Sequence, residues 1–227
     1  LGLNPFFSYF GSKFRLAKLY SPPKYNTIIE PFAGSAGYSL LYPDSNVYLY
    51  ETYEPVVAVW DYLIHVSEKE LLSLPLGPFD KYHPVDDEKI PEAAKILLGF
   101  WLTESQTYAS RYPQSKSRGG NWTERKRKLL AEQVQYIRHW KIKNKSFDEI
   151  DNKQATWFVD PPYQEAGKRY RHNKIDFDFL GQWCKKRIGH VIVCEQYGAD
   201  WMNFKPLSEV RNASNKIYKE VVWEKNK

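Results

Sequence analysis

The chain has 227 residues, 42% hydrophobic and 26% charged, a composition that fits one soluble globular domain with room for an inserted lobe. No run approaches the roughly 18 apolar residues of a membrane span, and the opening Leu1-Gly2-Leu3-Asn4-Pro5, which starts without Met, lacks the charged-then-apolar order of a signal peptide. The expectation is therefore a cytoplasmic protein with no membrane partner, and the two cysteines, Cys184 and Cys194, are expected to be reduced structural thiols.

Read in chain order, Asn26 to Phe32 predicts a short buried strand running into the turn Ala33-Gly34-Ser35-Ala36-Gly37, after which Tyr38 to Leu41 opens a helix. Val47 to Tyr50 predicts a second strand ending at Glu51. From Pro55 the positions Val56, Val59, Trp60, Leu63 and Ile64 recur at helical spacing, and Pro91 to Trp101 and Thr123 to Trp140 also read as helices. The pattern then alternates again: strand Ala155 to Val159, helix Phe179 to Lys186, strand His190 to Cys194, strand Ile217 to Trp223. Such alternation predicts an α/β fold, a mostly parallel sheet covered by helices on both faces. Residues 1–60 and 153–227 are expected to form the catalytic domain, and 61–152 an inserted helical lobe.

Charge is distributed unevenly along this plan. The net charge is +6, yet Arg111 to Lys145 holds eleven cations against Glu124 and Glu132, a local excess of nine, while the rest sums to minus three. One segment thus supplies the whole positive excess, which suggests a surface facing a polyanion.

The sharpest motif is Asp160-Pro161-Pro162-Tyr163, delivered by the apolar run Trp157-Phe158-Val159. In open parallel sheets the carboxyl end of a strand is where ligands bind. An exocyclic amine on a heteroaromatic ring is a poor nucleophile, because its lone pair is delocalised. A carboxylate and a main-chain carbonyl held inward by proline-fixed φ angles can accept its two N–H bonds and favour a pyramidal nitrogen. Tyr163 can stack on a base rotated out of a duplex, offsetting part of the unstacking cost.

Three separated motifs, Pro5-Phe6-Phe7-Ser8-Tyr9-Phe10-Gly11-Ser12-Lys13, Glu30-Pro31-Phe32-Ala33-Gly34-Ser35-Ala36 and Asp160-Pro161-Pro162-Tyr163, occur in an order that resembles the S-adenosylmethionine-dependent DNA adenine N6-methyltransferases of the Dam and T4-phage type. The resemblance covers nearly the whole chain. It implies a Rossmann-like class I methyltransferase fold, S-adenosylmethionine as cofactor with no metal, and double-stranded DNA as partner of a monomer or weak dimer. It also implies a cofactor site built from Tyr9, Phe10, Gly11, Ser12, Lys13, Glu30, Pro31, Phe32, Ala33, Gly34, Ser35, Glu51 and Asp160. In this family the Phe-x-Gly turn holds the methionine and sulfonium parts and the acid ending the second strand binds the ribose. Ala36 stands where the family often has a second Gly.

Elementary chemistry supports several of these roles on its own. Gly34 admits close backbone approach, Phe32 offers an apolar wall, and Glu51 can accept two ribose hydroxyls. A nicotinamide cofactor is disfavoured, because the turn lacks the Gly-x-Gly-x-x-Gly cradle for a pyrophosphate. For nucleic acid, Arg111, Arg118, Asn121, Trp122 at an aromatic loop tip, and Arg125, Lys126 and Arg127 are the candidates in the insert. Lys168, Arg169 and Arg171 follow the catalytic motif as a second basic loop. The motif residues leave open N4 of cytosine or an RNA adenine as target, and an inactive nucleic-acid-binding relative.

Overall fold

The computed structural model describes residues 2–103, 106–113, 122–165, 174–211 and 217–226. Seven strands form one sheet: β1 (Thr27–Glu30), β2 (Asn46–Glu51), β3 (Lys141–Asn144), β4 (Ala155–Val159), β5 (Gly189–Gln196), β6 (Lys205–Arg211) and β7 (Ile217–Asn226), in the spatial order β3-β2-β1-β4-β5-β7-β6. The first five run parallel, and β7 enters antiparallel between β5 and β6. From β1 the chain winds outward to β3 and then returns to β4 on the other side, so the strand order reverses between β1 and β4. A crevice at the carboxyl ends of such a pair is the usual ligand site of a doubly wound sheet. The fold is the expected Rossmann-like α/β arrangement.

The central strands are buried on both faces, which is why they read as continuous apolar runs. All five residues of β4 are buried. Its side chains alternate: Trp157 and Val159 join Leu180, Trp183 and Cys184 of α5 (Phe177–Lys186) on one face, and Phe158 packs on the other against Tyr38 at 4.2 Å and Tyr20 at 5.1 Å. That second face carries the larger core, with α1 (Glu54–His65), α3 (Glu92–Leu102) and α4 (Glu124–Gln133) contributing Trp60, Leu97, Leu98 and Leu130. The short α2 (Glu68–Leu72), closed at its start by a Ser67–Glu70 capping box, packs on α4. Among the described residues no helix is long and apolar enough to cross a membrane, and no group of three His, Cys, Asp or Glu is placed to hold a metal ion.

Local differences from expectation have local causes. The helix expected from Tyr38 is a single 3-10 turn, Ser39–Leu41, because Pro43 drives Tyr42 out of the helical region. The helix expected over Thr123 to Trp140 stops at Gln133, passes through a 3-10 turn, Val134–Ile137, and gives way to β3. Segment 61–152 is therefore not wholly helical: it supplies an edge strand paired with β2, and its expected boundary at residue 60 falls inside α1. Strand β6 was also not expected. Helix α5 starts two residues early, where Asp176 accepts from the Phe179 amide at 2.9 Å.

Candidate active site

The three motifs meet at the carboxyl ends of β1, β2 and β4. After Glu30 the chain turns through Gly34, whose φ of +45° suits glycine, and then Ala36 at φ +51°, a left-handed position that a second glycine would hold without strain. Gly37 permits the N-terminal segment to lie directly on this turn, since a Cβ there would stand 2.6 Å from the Phe14 amide nitrogen. Tyr9 packs against Gly34, and Ser35 donates a hydroxyl hydrogen bond to Ser12 at 2.8 Å. The turn is held from behind as well: the Gly34 carbonyl accepts from the Trp60 indole at 2.8 Å and the Ala33 amide donates to Tyr50 at 3.0 Å.

These contacts line an open cavity of about 80 Å³. Of the residues expected at a cofactor site, Tyr9, Phe10, Gly11, Ser12, Lys13, Glu30, Phe32, Ala33, Gly34, Ser35, Glu51 and Asp160 line it, together with Pro162. Pro31 lies instead on an adjoining cavity, which shares Phe32, Glu51 and Thr52 with the first and is closed by Ser146, Phe147, Lys174 and Ile175. Phe32 and Phe147 face each other there at 5.5 Å. Pro161 is buried behind the wall. Glu51 stands between the two cavities, its carboxylate accepting from the amides of Gly34 at 3.1 Å, Thr52 at 2.9 Å and Tyr53 at 3.0 Å. Glu30 is 2% exposed and accepts from the Ser39 amide at 2.9 Å; burial pushes its carboxyl up to about 8, so it is largely neutral at pH 7.

Charge is concentrated where the N-terminal segment meets the last motif. Lys13 is 7% exposed, and its Nζ lies 2.9 Å from Asp160 Oδ1, 3.9 Å from Glu220 Oε1 and 3.2 Å from the Gly11 carbonyl. Burial opposes its charge, but the two carboxylates prevail and raise its pKa. At Asp160 burial wins over Lys13, and the carboxyl is pushed up to about 6. The Lys13 ammonium also sits 4.5 Å from the centroid of the Tyr163 ring. Tyr163 donates its hydroxyl to Glu220, which accepts from Tyr20 at 2.6 Å as well. Behind the motif, Glu195 at the end of β5 accepts from the Gln164 amide at 3.1 Å and the Trp201 indole at 3.0 Å.

The expected nucleic-acid residues divide differently. Arg118, Asn121, Lys168, Arg169 and Arg171 lie outside the described residues. Trp122 is not an exposed loop tip: it is 3% exposed and its indole donates to the Pro75 carbonyl at 2.8 Å, so it belongs to the core of the lobe. Arg127 donates to the Leu74 carbonyl at 2.7 Å and Lys126 lies 3.6 Å over the Trp101 ring, which ties both to the protein's own packing. Arg111, largely exposed, pairs with Asp86 at 2.6 Å. Arg125 is exposed on α4.

Sequence reasoning missed Glu220, Glu195 and Phe147. The first two are acids on strands with no local motif, and their role shows only in the partners that the sheet brings to them. A sequence profile of the D12 class N6 adenine-specific DNA methyltransferases matches residues 9–225, a span that contains all the lining residues above. Among solved structures, the Haemophilus influenzae protein HI0767, described as a methylase, is similar at 13% identity over 88% of this chain and 80% of that one, with a TM-score of 0.36. No curated protein matches. With the profile spanning all but a few residues at either end, and the motifs it covers meeting in one crevice, the chain belongs to the D12 class of N6 adenine-specific DNA methyltransferases.

Proposed function

We propose that this enzyme transfers a methyl group from S-adenosylmethionine to N6 of an adenine rotated out of double-stranded DNA. The observation that carries the reading is the Lys13–Asp160 pair in the wall of a cavity where the three motifs meet. The cavity fits the cofactor: the carboxylates of Glu51 and Asp160, with the neutral carboxyl of Glu30, face a space with an apolar wall at Phe32, which suits a cationic sulfonium better than a pyrophosphate. Glu51 would hold the ribose hydroxyls, the adenine would lie in the adjoining cavity against the Phe32–Phe147 pair, and the Gly34 turn with Ser12 would hold the methionine part. When bound, the cofactor supplies an electrophilic methyl group.

The chain's own residues act on the other reactant. Asp160 and the Pro161 carbonyl accept the two N–H bonds of the adenine amine, which favours a pyramidal nitrogen with its lone pair directed at the cavity. Lys13 fixes the Asp160 carboxylate and keeps it ionised. Tyr163 offers a ring face to the extruded base, where stacking contributes about 1–3 kcal/mol. No covalent enzyme intermediate is required.

The reading is tested by incubating the protein with S-adenosylmethionine and unmethylated genomic DNA, followed by digestion and nucleoside mass spectrometry. N6-methyladenine is expected; N4-methylcytosine in its place would overturn the target. Asp160→Ala is expected to abolish turnover while cofactor binding, read by calorimetry, largely persists.

A further inference from the structure

Glu220 lies on β7, far in sequence from each of the three motifs, and is 7% exposed. A buried acid in a strand needs partners to offset its desolvation, and this one has three. The hydroxyls of Tyr163 and Tyr20 both converge on Oε1, and the Lys13 ammonium stands 3.9 Å away. Tyr20 is itself anchored edge-on to Phe158 of β4 at 5.1 Å, so the carboxylate bridges the strand that delivers Asp160 and the loop that carries Tyr163.

We propose that Glu220 is a positioning residue for methyl transfer: it tethers the Tyr163 ring through its hydroxyl and supplies the second negative charge that shares Lys13 with Asp160. This rests on the reading of Asp160 and Tyr163 as the groups that hold the target amine and base. The tether acts on geometry. With its hydroxyl tied to β7 and the ammonium against one side of the ring, Tyr163 keeps one orientation, and an extruded base stacks on the remaining side. The shared cation acts on charge. Lys13 faces Asp160 from the N-terminal segment, Glu220 from β7 and Tyr163 from the adjoining loop. Glu30 on β1, Cys194 and Glu195 on β5, and Tyr20 complete the titratable surroundings. Glu220 opposes ionisation of Asp160 as a like charge, so its neutralisation lets Asp160 ionise at lower pH.

Two measurements on the full chain separate these effects. In Glu220→Gln, which keeps a hydrogen-bond acceptor but removes the charge, the Asp160 carboxyl followed by carbon-13 NMR without DNA is expected to titrate at lower pH than in wild type. In Glu220→Leu, kcat is expected to fall about tenfold, through loss of the charge-assisted hydrogen bond that tethers Tyr163, with cofactor affinity unchanged. Tyr163→Phe removes the same bond from its other end and serves if Glu220→Leu does not fold; it should lose as much, and the double variant no more than either. An unchanged Asp160 midpoint in Glu220→Gln, or losses that multiply in the double variant, overturns the proposal. Absence of N6-methyladenine from the wild-type reaction overturns the functional reading alone, and the Asp160 titration still decides the role of Glu220.

Discussion

Replacing Lys13 by Met keeps the length and apolar stem of the side chain and removes the cation placed 2.9 Å from Asp160. In the wild type, burial already holds the Asp160 carboxyl at about 6 in spite of that partner. An opposite charge at such a distance lowers a carboxyl by about 1–3 pH units, so its loss moves the midpoint to between about 7 and 9. Because only the ionised carboxylate accepts the amine hydrogens, kcat/KM should rise with pH through this midpoint. For a midpoint near 8, the ionised fraction at pH 7 drops from about 90% to about 10%, a roughly tenfold loss of rate that is regained above about pH 9. The assay is N6-methyladenine formation at limiting DNA from pH 5 to 9.5, with thermal melting to verify folding. An acidic limb that stays near pH 6 in Lys13→Met would refute the reasoning, since the pair would then not control the carboxylate.

Other expectations follow from the same geometry. Glu30, an acid with its folded-state pKa raised from 4.5 to about 8, binds a proton in the native state that the unfolded state releases, so stability should fall as pH rises from about 4.5 to about 8. The decline is at most about 1.4 kcal/mol per pH unit, and Glu30→Gln should flatten it in denaturant titrations; a pH-independent wild type would contradict this. Arg125→Ala should reduce the slope of log affinity for DNA against log salt by about 0.9 if the side chain meets a phosphate. Arg127→Ala, by contrast, should lower the melting temperature, because its guanidinium caps the Leu74 carbonyl. Gly37→Ala places a methyl 2.6 Å from the Phe14 amide and should cost about 1–3 kcal/mol of stability together with cofactor affinity, both measurable by calorimetry.

The parts of the fold legible in the sequence are those buried on both faces. Ile28-Ile29, Leu49-Tyr50 and Trp157-Phe158-Val159 are apolar because no water reaches either side of a central strand, and the acids and glycines that follow them stand out by contrast. The sheet edges are the reverse. Strand β3 reads Lys141-Ile142-Lys143-Asn144 and β6 begins Lys205-Pro206, charged and proline-bearing sequences that an unpaired edge tolerates and that carry no strand signal. The basic insert is ambiguous in sequence for a related reason. Charge counting cannot distinguish a cation facing solvent from one that caps a distant carbonyl, and Arg138 closes the end of α1 at Ile64 and Val66 while Arg127 reaches Leu74. Trp122 looked like a loop tip because its neighbours are glycine and asparagine, yet an indole of that size is held by burial and by Pro75.

The bond between Tyr20 and Glu220 spans 200 positions of the chain. A contact of that separation carries a large loop-closure entropy, and non-local closure of this kind is slow relative to helix formation. Until it closes, Tyr163 lacks its full anchor and the charge cluster is incomplete. Recovery of methyl transfer during refolding should therefore lag behind recovery of helical signal.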